Sequence, residues 1–224
     1  MQLGDVITEA RKILQDTSTV DSLQRYSDAD LLGFANQTLK RMALVRPDLF
    51  SYIGEITCTT GEVLQSAPSD SIRIMEIFRV KDGSSIRETN REILDQTYPA
   101  WQSDAAAACS SWMRHPRNQN KFFIYPKAPS GQILIGEYAK YPSDYAADDE
   151  VELLPDAFFP CVVDGTVYLA ESIDDESVNS NRAKLYQDSF YNLMDLNLKS
   201  RVITDNERGG LDKSREQEKM GDER

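Results

Sequence analysis

Apolar residues recur at helical spacing at both ends of the chain and alternate in its middle. Leu3, Val6, Ile7, Ala10, Ile13 and Leu14 fall on one face of a helix. After the polar linker DTSTVDSLQRY, Leu31, Phe34, Ala35, Leu39, Met42 and Ala43 line a second. The hydroxyl of Ser27 can cap its free N–H groups, and Asp30, three residues on, adds a carboxylate at its positive end. Pro47 ends it, because the residue before a proline is pushed out of the helical region. The two segments predict a helical hairpin.

The period then shortens. IGEITCT (53–59) and SIRIMEIFRVKD (71–82) are β-branched and alternate. Asp82-Gly83 signals a turn, and SIRET returns after it. NREILDQT (90–97) reads as a short helix within the β region. SWMRH, KFFIYP and QILIGEYAKYP read as further strands, separated by turns at Pro116-Arg117-Asn118 and Ala128-Pro129-Ser130-Gly131. About five strands, a common sheet size, are predicted here.

Helical periodicity resumes at Pro155, a residue suited to a first helical turn. Phe158, Phe159, Val162, Val163, Val167, Tyr168 and Ala170 make this helix apolar around much of its circumference, so it is expected to be central. Pro160 lies within its first turn and can shift its start. A last helix is predicted from about 181 to 200, with Ala183, Tyr186, Phe190, Leu193, Met194 and Leu198 in its stripe. After Thr204 apolar residues become rare, and such a segment buries too little surface to offset its ordering entropy.

The predicted fold class is therefore α+β. N-terminal helices (1–50) and C-terminal helices (143–202) form one bundle, a small antiparallel β domain (51–142) is inserted between them, and an extended or disordered tail (203–224) follows.

Charge narrows the function. The 224 residues carry a net charge of −12, which makes for a self-repelling chain poorly suited to gripping duplex DNA by phosphate neutralisation. Cys58, Cys109 and Cys161 are odd in number and far apart, with neither disulfide-framework nor zinc-ligand spacing; buried, reduced thiols are expected. The opening MQLGDVITEARKILQD carries acids and lacks the continuous apolar core of a signal peptide, and no run reaches membrane-spanning length.

Candidate chemistry is sparse. The chain has one histidine, His115, placed where a strand meets a turn, with no GxSxG segment to supply a nucleophile. No GxxxxGK[ST] or GxGxxG segment cradles a phosphate. Asp144, Asp148, Asp149, Glu150, Glu152 and Asp156 could offer oxygen ligands to a hard cation, yet the loop lacks the glycine a tight ligand-wrapping turn needs. The competing reading is a solvated joint between sheet and helix. One asymmetry stands out in so acidic a protein. Residues 105–136 contain no acid but hold Arg114, Arg117, Lys121 and Lys127 with His115, interleaved with Trp112, Phe122, Phe123 and Tyr125. This stretch is either a strand edge whose cations discourage edge pairing or a contact surface for an acidic partner or passing DNA.

The layout resembles that of the head-to-tail adaptor (connector) proteins of tailed bacteriophages, of the tail tubular protein A type found in short-tailed phages. The resemblance spans almost the whole chain. It rests on LGDVITEARKILQD, on SDADLLGFANQTLKRMALVRPDLF, and on EYAKYPSDYAADDEVELLPDAFFPCVVDGTVYLA followed by NRAKLYQDSFYNLMD. It implies a structural virion protein without enzyme activity or cofactor. Such a protein forms a ring, commonly of twelve copies, between the portal and the tail nozzle, with double-stranded DNA passing through without sequence recognition. It implies a place at the virion's head–tail junction after assembly in the bacterial cytoplasm, with no membrane partner. By segment, the resemblance places portal contact in the tail, with Arg201, Arg208, Leu211, Lys213, Arg215 and Lys219 as candidate residues. Contact with the nozzle or a neighbouring subunit falls to the β domain, where the basic stretch offers Trp112, Arg114, Arg117 and Lys121. Three alternatives stay open: another neck or tail-completion protein, a metal-dependent hydrolase using the acids of 144–156, and a regulatory binding module that forms a low-order oligomer and no ring.

Overall fold

The structure, a computed structural model, describes residues 1–18, 20, 23–173 and 181–195. The fold is α+β, with helices at both ends of the described chain and seven strands between them. Two compact units are present. One is built from Gln2–Thr38 and the chain from Ala157 onward, the other from Met1 and Leu39–Asp156.

In the helical unit, α1 spans Leu3–Leu14 and buries Leu3, Val6, Ile7, Ala10 and Leu14, the stripe its periodicity predicts. It ends where Gln15 turns left-handed at φ 58°. The following helix, α2 (Asp28–Val45), opens on a reciprocal cap. Ser27 Oγ accepts from the Asp30 N–H at 3.1 Å, and the Asp30 carboxylate accepts from the Ser27 N–H at 3.2 Å. At its other end Arg46 leaves the helical region and Pro47–Phe50 forms a 3₁₀ turn.

Arg11 ties α1 to the start of α2. Its guanidinium pairs with Asp16 at 3.0 Å and Asp28 at 2.6 Å and donates to the Tyr26 carbonyl at 2.9 Å. Asp16, itself buried, accepts in turn from the N–H groups of Arg25 and Tyr26. The linker read as merely polar is thus a hydrogen-bonded knot around one arginine.

Helix α4 (Phe159–Glu171) carries Pro160 in its first turn, behind a 3₁₀ turn at Asp156–Phe158, so the α-helix proper starts later than Pro155. Nine of its residues are buried, in keeping with its all-round apolar pattern, and it packs on α1. A fifth helix, α5, covers residues 181–195; the predicted continuation to 200 lies outside the described residues. Phe190 and Met194 of α5 are buried, and the thiol of Cys161 donates to the Phe190 carbonyl at 3.7 Å.

Asp164 on α4 accepts from the Ser189 hydroxyl at 2.5 Å. Burial pushes its carboxyl above the usual range, and the Ser189 hydrogen bond opposes this only in part. An acid raised in the folded state favours folding at low pH and loses that contribution as pH rises through its folded value. Asp164→Asn is therefore expected to raise the melting temperature at neutral pH, with the gain shrinking as pH falls below the carboxylate range. Thermal melts at three pH values check this, and a gain that grows on acidification would refute it.

The other unit holds seven strands in two sheets. The first sheet has β1 (Ser51–Thr57) and β3 (Ser71–Val80) flanking β7 (Ile133–Lys140), all antiparallel. In the second, β2 (Leu64–Ser66) pairs with β6 (Lys121–Tyr125), which pairs with β5 (Ser111–Arg114), both antiparallel. Strand β4 (Arg87–Glu88) completes it in parallel with β5. The turn predicted at Asp82-Gly83 forms, with Asp82 at φ 55° and an antiparallel bridge between Arg79 and Ser85. The returning chain then leaves β3 and joins the second sheet, so the hairpin is shorter than predicted. The sequence reading of about five strands missed β2, and two sheets replace the one implied.

Both sheets contribute to one apolar core. Ile56, Ile74, Ile77, Leu134 and Tyr138 come from the first, and Trp112, Phe122 and Ile124 from the second. Gly54 and Gly136 stand opposite each other in register. A side chain on Gly136 would meet the Glu76 carbonyl at 2.8 Å, and one on Gly54 the Tyr52 ring at 2.5 Å. The rings of Tyr52 and Tyr138, edge to face at 5.7 Å, occupy the space that Gly54 leaves. Between β4 and β5 lies α3 (Arg91–Thr97), capped by the Asn90 side chain accepting from the Glu92 N–H at 2.8 Å. After α3, buried Trp101 donates through its indole N–H to Asp95 at 2.7 Å.

All three cysteines are free and buried. Burial pushes the thiols of Cys58 and Cys161 up to about 12, and raises that of Cys109 although Gln132 partly opposes the rise. The native chain is therefore expected to react negligibly with a thiol reagent at pH 8, and to expose three thiols once unfolded in denaturant. Fast labelling of any one in the native state would contradict the packing of that site.

Candidate interaction surfaces

The acid-free stretch 105–136 supplies β5, β6 and the turn between them. Here Arg114, His115, Lys121, Trp112 and Phe122 line a cavity of about 360 Å³, joined by Arg73 of β3. No acidic side chain lines it. Sequence reasoning missed Arg73 because it lies on a strand about forty residues away. The closest signal was its place in SIRIMEIFRV, where charge interrupts an otherwise apolar strand.

The four residues predicted as contacts here fall into different roles. Trp112 is only 1% exposed and belongs to the core, so its indole supports the cavity from behind rather than offering a free surface. Arg114 is largely committed to holding strands together. It pairs with Glu88 of β4 at 2.7 Å and donates to the Met75 carbonyl of β3 at 2.5 Å, its guanidinium 4.9 Å from the Trp112 ring centre. Arg117 and Lys121 are exposed, and neither side chain has an ion-pair partner among the described residues; nor does Arg73, which is half-buried.

His115 has a structural task. Its Nδ1 accepts from the N–H groups of Arg117 at 3.2 Å and Asn118 at 2.9 Å, and its ring stacks on Phe123 at 5.5 Å. An imidazole nitrogen occupied by two backbone donors orders the β5–β6 turn and leaves no general base on that side.

The acids of 144–156 disperse rather than converge. Asp144 pairs with Lys40 at 2.5 Å. Asp149 closes a local turn by accepting from the Ala146 N–H at 2.7 Å. Asp156 accepts from the amino group of Met1 at 2.7 Å, with Glu150 at 3.8 Å. Among the described residues no group of three His, Cys, Asp or Glu side chains is placed to hold a metal ion. Asp144, Asp149, Glu150 and Glu152 do line an open cavity of about 590 Å³, with Lys140 its one cation and Tyr52 of β1 on its wall. Tyr145, also lining it, has its phenol raised chiefly by burial, with Glu152 adding to the effect.

The tail residues Arg201, Arg208, Leu211, Lys213, Arg215 and Lys219 lie outside the described residues. No helix among the described residues is long and apolar enough to cross a membrane.

The family model of the SU10 adaptor protein matches residues 1–211, which takes in every described element. The chain belongs to this family. It is therefore a phage head-to-tail adaptor with a structural role, as the resemblance of its helical and joint segments implies. No curated protein matches the chain at a significant level. In this adaptor the joint and the strands, rather than a reactive centre, are the features to explain.

Proposed function

We propose that this adaptor assembles as a ring, of twelve copies, between the portal of a phage head and the nozzle of its tail. The family match over residues 1–211 carries the reading. In it, the segment holding Arg201, Arg208, Leu211, Lys213, Arg215 and Lys219 reaches the portal, and the cationic turn with Arg117 and Lys121 faces the nozzle or the next copy. Duplex DNA passes through the ring without sequence recognition. The net charge of −12 suits that passage, because a lumen rich in carboxylates repels phosphates and lets a duplex slide. The ring assembles in the host cytoplasm and ends in the virion. It carries no catalytic role and needs no cofactor.

Co-sedimentation of the full chain with the portal ring of the same phage, followed by electron microscopy of the heavy fraction, tests this. A coaxial ring on the portal gives the copy number directly. Failure to co-sediment with a properly assembled portal would move the chain to another neck or tail-completion position.

A further inference from the structure

We infer that the basic cavity on β3, β5 and β6 receives the acidic segment 144–152 of a second copy of this chain. This rests on the ring reading and names the contact that would build the ring.

Two surfaces of opposite charge occur within the same compact unit. The basic cavity has Arg73 and Lys121 on its lining, no acid, and an apolar floor of Trp112 and Phe122. Neither Arg73 nor Lys121 finds an anion within its own chain among the described residues. The acidic cavity is built on β1, the end of β7 and the segment that follows, and no residue lines both cavities. From residue 141 to 181 the sequence contains no lysine or arginine; Lys40 reaches Asp144 and Met1 reaches Glu150, while Asp149 and Glu152 have no ion pair among the described residues. Copies carrying −12 each repel one another, and close association requires that contacts pair unlike charge. The residues around Lys121 hold the acid-free stretch that can meet this need.

The two surfaces differ in residues and in strands. A contact that seats the acids of one copy in the basic cavity of the next is therefore heterologous. Each copy gives one surface and accepts on the other, which builds a ring when the rotation between copies closes. The contact is electrostatic at its rim and weakens with salt.

Cysteine pairing tests it directly, since the native thiols are buried and do not compete. Full-length Lys121→Cys and Glu152→Cys, mixed at millimolar concentration in low salt under mild oxidation, are expected to give a disulfide-linked dimer. Neither variant alone should do so, and the double variant should give a ladder. High salt should suppress all three products. Arg73→Glu with Lys121→Glu, followed by cysteine pairing at Arg117→Cys and Glu152→Cys, should lower the cross-linked yield roughly a hundredfold, the size expected for like charges forced together. Partial rescue is expected when Asp149→Lys and Glu150→Lys accompany Glu152→Cys on the partner copy. No cross-link in the mixture, or homodimers from either variant alone, would overturn the inference. So would low-salt binding of duplex DNA that the glutamate variants abolish, in the absence of copy-to-copy cross-linking. A ring that forms on the portal despite both glutamates would sink this contact and leave the adaptor role intact. A mixed cross-link without portal docking would do the reverse.

Discussion

Gly165→Ala is expected to destabilise the helical unit by about 1–3 kcal/mol, although alanine favours a helix over glycine by roughly 1 kcal/mol. A methyl group at Gly165 would sit 2.4 Å from the Thr38 side-chain methyl and 2.9 Å from the Phe190 ring. Neither neighbour has room to move. Both are about 1% exposed, and the Thr38 hydroxyl is bonded to the Phe34 carbonyl at 2.9 Å. Steric overlap of that size outweighs propensity. Urea unfolding of the full chain should show a lower midpoint with an unchanged slope. Thr38→Ser removes the offending methyl, so combining it with Gly165→Ala should recover part of the loss. A midpoint that rises in Gly165→Ala alone would mean that α2, α4 and α5 do not approach this closely.

The second large effect concerns Glu171, which is 2% exposed at the end of α4. Arg25 lies 3.8 Å and Arg182 3.6 Å from its carboxylate. Arg25→Met with Arg182→Met strands a buried charge, and a loss of about 3–5 kcal/mol is expected. Arg182 also donates to the Ile13 carbonyl, so part of the loss is not electrostatic. Adding Glu171→Gln separates the two, because a neutral amide needs no cation beside it. Recovery of most of the stability assigns the effect to the stranded charge. No recovery assigns it to the lost packing and hydrogen bond.

The helices were legible in sequence because their signals are local. The stripes of α1 and α2, the reciprocal cap of Ser27 and Asp30, and the break at Pro47 each lie within a few residues. The long strands were legible for the same reason. The three-residue strand β2 carries too little periodicity to be read, and the division into two sheets went unread with it. The Arg11 knot was invisible because its partners are set by a loop path rather than by spacing. At the basic surface, the missing acids of 105–136 marked the two strands that line the acid-free cavity. Trp112 was misplaced outward because β5 buries two successive residues, Trp112 and Met113, so alternation could not tell its inner face.

The pairing of β1 with β7 has a consequence for how such adaptors diversify. Ser51 and Ala139 are direct partners, so the chain enters and leaves the strands at points separated by one rung of a ladder, about 5 Å. Everything from residue 58 to 132 hangs from that stem. Loops can lengthen, a sheet can be remodelled, or the insert can be exchanged for another, while the spacing of its two attachment points stays the same. Residues on so short a stem can be exchanged as a unit, and exchange at Ser51 and Ala139 is a practical route to hybrid adaptors.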